Sequence, residues 1–285
     1  MLSMVGTPIG NLEDASPRVL ATLRQADVLL CEDTRVTSKL LARFGIRVSL
    51  MRCDQNVIAA RVDGVLDRVE AGERVAFVSD AGMPGVSDPG QQLVDAALER
   101  GLPVEVIPGP SAVTCALVAS GLPMDHFFFE GFLPRKAGAR ARRLGELSQV
   151  PGALVVYESP HRVVATLASI AEVLPARRVA LVRELTKLHE EVVRELAPEL
   201  VRRVAEGPEV RGECVIVIEG PVAGDFVTGS AEGGVAGPTS SVRTLDEAIA
   251  EGVAAGEPKS RLSKRLAKEF SLARSDVYAR VLELG

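Results

Sequence analysis

Short apolar runs set apart by longer amphipathic stretches constrain this chain most. Leu2–Val5, Val28–Cys31, Val75–Ser79, Val104–Ile107, Phe127–Phe132, Leu154–Tyr157, Val179–Val182 and Cys214–Ile218 each read as a strand, and helical spacing of apolar residues fills most of the intervals. Helices that alternate with strands cover the faces of a sheet, so the rhythm predicts α/β layering. Ser16 followed by Pro17 marks a helix start, Thr34 precedes a second helix ("RVTSKLLARF"), and Gly45 closes it.

The 285 residues leave room for a sizeable core without disulfides or metals. The break "SGLP" at Gly121–Pro123 divides the α/β part into domains at 1–121 and 122–220. Residues 221–241 are small, Gly-rich and aperiodic, as a flexible linker is. Val242–Ala255, Lys259–Phe270 and Ala273–Leu284 then read as three short helices of a helix-turn-helix-like module. The four cysteines are scattered without C-x-x-C or Cys/His pairing, so reduced thiols are expected, with no metal and no disulfide. No apolar run approaches the roughly 18 residues of a spanning helix, and the N-terminus leads into a strand pattern; a cytoplasmic protein without membrane contact is expected. A net charge of −5 argues against a protein that coats naked nucleic acid. Two local clusters run the other way: Arg135 to Arg143 and Lys259 to Lys268 each hold five bases and no acid.

Three loops follow strands and carry the chemistry. "VGTPIGNLEDASP" lacks the G-x-x-x-x-G-K-[ST] of a phosphate loop, and its Gly6 and Gly10 bracket Thr7, Pro8 and Ile9 well before any helix, unlike a dinucleotide fingerprint. Glu32 and Asp33 end the second strand run, where an acid can bind ribose hydroxyls. "SDAGMPGVSDPG" holds Asp80 and Asp88 but no base, which suits a ligand with positive and hydrogen-bonding groups; a plain strand-to-helix connection explains its Gly and Pro equally well. "IPGPSAVTCAL" places Ser111 at a helix start, where free N–H groups attract a carboxylate or where the serine simply caps. Loops converging from strand ends make a cleft for one small ligand, and a carboxylate, an ammonium and a ribose together describe S-adenosylmethionine.

"VGTPIGNLEDASPRVL", "CEDTR", "SDAGMPGVSDPG", "PGPSAVTCALVASGLP", "FFFEGFLPRK", "YESPHR" and "RELTKLHEE", in this order, resemble the 16S ribosomal RNA cytidine 2′-O-methyltransferase family, a branch of the tetrapyrrole methylase superfamily. The resemblance covers Met1 to about Gly220. It implies two α/β domains of tetrapyrrole methylase type with S-adenosylmethionine in the cleft between them, and a small C-terminal helical module. The implied reaction methylates the ribose of cytidine 1402 in the 16S rRNA of the small ribosomal subunit, and the superfamily implies a homodimer. Thr7, Pro8, Ser79, Asp80, Ala81, Ser87, Ser111, Ala112 and Tyr157 are the implied donor contacts. The chain departs from the family where relatives carry a His-rich block and it reads "RCDQN" at Arg52 to Asn56, where Met83 replaces a usual threonine, and at Gly85–Val86.

A ribose hydroxyl needs a base within hydrogen-bond reach. Asp33 and Glu32, with Arg35 beside them in "CEDTR", head the candidates; Glu158, His161, Glu184 and Lys187 follow. Pairing of Glu32 with Arg35 or of Glu184 with Lys187 is the structural alternative. RNA contact falls to Arg135, Lys136, Arg140, Arg142 and Arg143, to His161 and Arg162, and to the basic tail helix, unless these are solvated faces. The phenylalanines of "HFFFEGF" suit a core strand or a dimer contact better than base stacking. A small-molecule methylase, a nucleotide-dependent oxidoreductase and a non-catalytic ribosome-binding protein are the competing readings.

Overall fold

The computed structural model describes residues 1–221, 248–249, 252–253, 257–269, 277–278 and 280–282. The chain divides into two compact units, Met1–Val227 and Thr228–Gly285.

The first unit holds two five-stranded sheets. Strands β1 (Leu2–Val5), β2 (Val28–Cys31), β3 (Ser49–Arg52), β4 (Val75–Val78) and β5 (Val104–Ile107) form an all-parallel sheet in the order β3-β2-β4-β1-β5. Helices α1 (Pro17–Gln25), α2 (Thr34–Arg43), α3 (Ile58–Glu70) and α4 (Gly90–Glu99) make its crossovers. Its inner strands are buried at every residue, because helices cover both faces. Val28 and Leu30 face Leu66 and Leu93, whereas Leu29 and Cys31 face Leu23 and Leu41, the two-residue alternation of a pleated strand.

The second sheet runs β6 (Phe127–Phe132), β7 (Ala153–Glu158), β10 (Cys214–Ile218), β8 (Arg178–Arg183), β9 (Glu191–Leu196). Only β6 and β7 are parallel; the remaining pairs are antiparallel. Helices α6 (Ala137–Leu147), α7 (Val163–Val173) and α8 (Ala197–Glu206) supply residues to the core on one face of this sheet. The other face is covered by α5 (Ala112–Ser120), whose Val113, Ala116 and Leu117 pack with Val155, Ala180, Val215 and Val217. By packing, the seam therefore falls at Pro108–Pro110, before α5, and not at Gly121–Pro123. Gly121 ends α5 in the left-handed conformation, a helix stop rather than a domain boundary.

Two strands escape the sequence pattern. β3 is half-exposed "SLMR", and β9 is "EVVREL", with an acid before its two valines and an arginine and an acid after them, so neither shows a sustained apolar run. The α2 cap also shifts by one residue: Asp33, not Thr34, is the N-cap, its Oδ1 accepting from Arg35 N–H at 2.8 Å. Ser16 caps α1 as expected, with its Oγ accepting from Val19 N–H at 3.2 Å and Pro17 next.

In the second unit, α9 (Lys259–Glu269) buries Leu262 and Leu266 in one core with Ala248, Ile249, Val277 and Val281. The expected linker lies outside the described residues except for Pro221, as do parts of the two flanking helices.

The placement of α5 gives a stability prediction. Replacing buried Leu117 by Ala destabilises the first unit by about 2–5 kcal/mol in urea unfolding, while Val118→Ala, on the exposed side of the same helix, changes little.

Candidate active site

The ends of β1, β4 and β5 bring three loops into backbone contact. Gly6 N–H donates to Ile107 O at 2.9 Å, and the Gly6 and Gly109 backbones lie so close that a Cβ on Gly6 would stand 2.6 Å from Gly109 N. Thr7 N–H donates to Gly82 O at 2.9 Å and Gly82 N–H donates back to Thr7 O at 3.1 Å. Met83 Sδ accepts from Gly109 N–H at 3.2 Å, so the unusual methionine ties the second loop to the third. On the far side, Asn11 N–H donates to Thr186 Oγ1 at 3.0 Å and a Cβ on Gly10 would meet Lys187 Cγ at 2.6 Å. This contact docks the "RELTK" turn after β8, where Glu184 and Thr186 hold positive φ, against the first loop.

Two adjoining cavities result. The first, about 360 Å³, lies between the sheets; Ala81, Met83, Ser111 and Ala112 line it from one side and Phe132, Tyr157, Leu185 and Val215 from the other. Ser111 is the N-cap of α5, yet its side chain makes no capping bond. The second cavity, about 330 Å³, is lined by Thr7, Pro8, Ser79, Asp80 and Lys39 among others. Ile9, Ala81 and Glu213 line both. The nine expected donor contacts are thus divided: Ala81, Ser111, Ala112 and Tyr157 face the first cavity, Thr7, Pro8, Ser79, Asp80 and again Ala81 the second. Ser87 lines neither; it holds φ of 65° next to Val86, which does line the first. Among the apolar walls, Val182 and Val215 carried no sequence signal of their own, since a lining valine reads like a core valine.

A third hollow, lined by Glu32, Asp33, Arg35, Arg52, Asp54 and Asp80, adjoins the second through Asp80. Its acids are not equivalent. Asp33 caps α2 and is clamped by Arg35, with NH2 to Oδ2 at 2.6 Å; that guanidinium and the Arg35 N–H lower its pKa to about 2. A carboxylate so held is a poor base, which corrects the leading place given to Asp33, and Arg35 pairs with Asp33 and not with Glu32. Glu32 is half-buried and accepts from Asp80 N–H at 3.3 Å; desolvation raises its pKa, and the charges of Asp88, Asp80 and Asp54 add to the rise. Asp80 Oδ1 accepts from Asp33 N–H at 3.0 Å. Desolvation of its carboxyl, with the charge of Asp33 behind it, holds Asp80 above the ordinary aspartate range. In "RCDQN", Asp54 accepts from Asn56 N–H at 2.8 Å and from Arg52, which explains an aspartate there without a histidine's chemistry.

Of the remaining base candidates, Glu158, Glu184 and Lys187 are occupied and His161 is exposed. Glu158 is buried, with Oε2 accepting from Thr166 Oγ1 at 2.6 Å, Oε1 from Ser159 N–H at 2.8 Å, and Arg162 Nε at 3.3 Å. Lys187 Nζ bonds Glu184 at 2.7 Å and Glu213 at 2.8 Å. Among the expected RNA contacts, Arg135, Lys136, Arg142 and His161 are exposed. Arg140 is not available: it is buried and donates to Ser169 Oγ, Arg135 O and Ala165 O. Arg143 is taken by Glu130 and Glu146, and Arg162 by Glu158 and Leu133 O.

With this geometry, likeness to known proteins becomes informative. A sequence model of the Tetrapyrrole (Corrin/Porphyrin) Methylases matches residues 1–201. A Thermotoga maritima protein named Ribosomal RNA small subunit methyltransferase I is 43% identical over 219 residues, 77% of this chain and 98% of that one. A Synechocystis protein of the same name is 38% identical over 285 residues, 100% of this chain and 98% of its own. The chain belongs to the ribosomal RNA small subunit methyltransferase I family, within the tetrapyrrole methylases. Among solved structures, a uroporphyrin-III C-methyl transferase from Thermus thermophilus complexed with S-adenyl homocysteine superposes with TM-score 0.54 at 23% identity, over 76% of this chain and 96% of that one, which establishes the shared fold. As a member of that family, the protein is a methyltransferase, and its first unit holds two α/β sheets. No helix among the described residues is long and apolar enough to cross a membrane.

The contrast within the basic segment is testable by melting. Arg140→Ala removes a buried guanidinium with its three hydrogen bonds and lowers the thermal midpoint by roughly 4–10 °C. Arg142→Ala, at an exposed position, leaves it within about a degree.

Proposed function

We propose that this protein transfers the methyl group of S-adenosylmethionine to the ribose 2′-oxygen of cytidine 1402 in the 16S rRNA of the small ribosomal subunit. The observation that carries the reading is a likeness extending over the whole chain to a relative named for small-subunit rRNA methylation, on a fold whose cleft holds two adjoining cavities. The neighbour complexed with S-adenyl homocysteine supports the choice of donor.

The residues of the first cavity fit that donor. The unengaged Ser111 hydroxyl and the N-terminal N–H groups of α5 suit a carboxylate, and the apolar walls from Met83, Phe132, Leu185 and Val215 suit a purine and a thioether. When bound, the donor supplies a methyl carbon activated by its sulfonium. The chain's own tasks are to hold the acceptor oxygen in line and to take its proton. Of the acids lining the third hollow, Asp80 adjoins Ala81, which lines both cavities, so the role of base passes from Asp33 to Asp80, with Glu32 behind it accepting from the Asp80 N–H.

Exposed Arg135, Lys136 and His161 lie three or four residues from Phe132 or Tyr157 on the cavity wall and, with exposed Arg142, suit phosphates at its mouth. In the tail, α9 exposes Lys259, Arg261 and Lys264 away from its buried leucines and suits the same role. The expectation of a cytoplasmic homodimer carries over, and exposed Phe127 and Phe128 on the edge strand β6 offer such a dimer an apolar face.

Incubation with labelled donor and unmethylated small subunits, with naked 16S rRNA and a tetrapyrrole alongside, tests the reading. Label on the 2′-oxygen of cytidine 1402 is expected; label on the tetrapyrrole alone would replace the rRNA reading with a small-molecule methylase. Asp80→Asn lowers kcat by about 10²–10⁴ with donor affinity retained, whereas Asp33→Asn, which keeps an N-cap side chain, stays within a few-fold of the wild type. Because the base must be ionised and the Asp80 pKa is raised, kcat/KM falls as pH drops through a value above the ordinary aspartate range, and Asp80→Asn abolishes that limb.

A further inference from the structure

The two cavities differ in chemistry. Among the described residues, the first carries no lysine or arginine on its walls, whereas the second is lined by Lys39 and Lys187. Lys187 is committed to Glu184 and Glu213. Lys39 is exposed and has no acidic partner among the described residues. That sets it apart from Arg18, Arg35, Arg43, Arg52, Arg68 and Arg100 in the same half, each of which holds a carboxylate. A lone, strongly hydrated ammonium on a cavity wall is suited to a phosphate that arrives with a ligand.

The placement follows from the helix. Val36, Lys39 and Leu40 stand at i, i+3 and i+4 on α2, one stripe that forms a wall of the second cavity. Val36 is 39% exposed, an apolar rim beside the cation. Across from them lie Thr7, Pro8 and Ile9, and the cavity opens at Asp80 toward the acidic hollow. Apolar surface, a cation without an acidic partner among the described residues and a carboxylate around one opening match the parts of a nucleotide: a base or sugar face, a phosphate and a hydroxyl.

We infer that the second cavity holds the acceptor nucleotide, with Lys39 on a backbone phosphate of the RNA strand and Val36 against its sugar or base. The inference rests on the rRNA reading above and adds to it which cavity the acceptor enters and which residues grip it. Donor and acceptor then meet where Ile9 and Ala81 form a shared wall, the place at which reacting atoms can come within about 3–3.5 Å. Lys39 binds and positions; it takes no part in proton transfer.

The test uses the full chain with unmethylated small subunits, S-adenosylhomocysteine as the donor-site probe, and the variants Lys39→Ala, Lys39→Glu and Val36→Trp. Both positions are exposed, so folding is retained, and circular dichroism checks it. Lys39→Glu raises the KM for subunits about tenfold or more with kcat within about twofold, and lowers the slope of log affinity against log salt by about 0.7–0.9 through loss of one phosphate contact. Val36→Trp fills the cavity and lowers kcat/KM for subunits at least tenfold. S-adenosylhomocysteine affinity is unchanged in all three. An unaltered KM and salt slope in Lys39→Glu, in an assay where the wild type labels subunits, would overturn the inference and leave the rRNA reading standing. Weakened S-adenosylhomocysteine binding with an unchanged subunit KM would put the donor in this cavity and overturn it as well. Wild-type protein that labels no subunit would overturn the rRNA reading itself and this inference with it.

Discussion

Backbone contact between the loops after β1 and β5 is the constraint on which the site depends. Gly6 and Gly109 face each other with no room for a Cβ on either, since one on Gly109 would stand 2.7 Å from Gly6 C. A side chain at either position would push the two strand ends apart. The exchanged Thr7 and Gly82 hydrogen bonds add the loop after β4 to the same knot. Pro8 then has a physical reason: the loop bonds to neighbouring loops, not to a phosphate, so it requires a fixed path more than a row of free N–H groups.

The second sheet completes what the knot begins. Its "RELTK" turn reaches back to Gly10 and Asn11, held by Thr186 N–H donating to Glu190 Oε2 at 2.6 Å and by Lys187 between Glu184 and Glu213. Positive φ at Glu184 and Thr186 persists only where such contacts over-determine the backbone. The docked turn places Leu185 on the first cavity and Lys187 on the second, so one strained segment walls both. A cleft between sheets is thereby divided into an apolar compartment and a charged one, as a transferase with two unlike substrates requires.

Much of this was legible in the sequence. Buried strands announce themselves as apolar runs, Ser16–Pro17 as a cap, and the three glycine-rich loops as a converging site. What escaped the reading escaped for identifiable reasons. β3 and β9 lie at sheet edges, where one partner suffices and charged residues are tolerated, so their pattern is not apolar. The allegiance of α5 to the second sheet is a tertiary fact that no local signal encodes. Arg140 looks like its exposed neighbours Arg135 and Arg142 in sequence, and only the arrival of α7 with Ser169 and the Ala165 carbonyl buries it. The donor contacts implied by the resemblance formed one set, whereas in the structure they line two cavities that share Ile9, Ala81 and Glu213.

The central claim is that the methyl donor occupies the compartment between the sheets and leaves the one beneath α2 open for the acceptor. A crystal structure of the protein with S-adenosylhomocysteine tests it most directly. The account predicts the ligand among Ala81, Met83, Ser111, Tyr157 and Leu185, with the space between Pro8 and Lys39 empty. Ligand density between Thr7, Asp80 and Lys39 would contradict it.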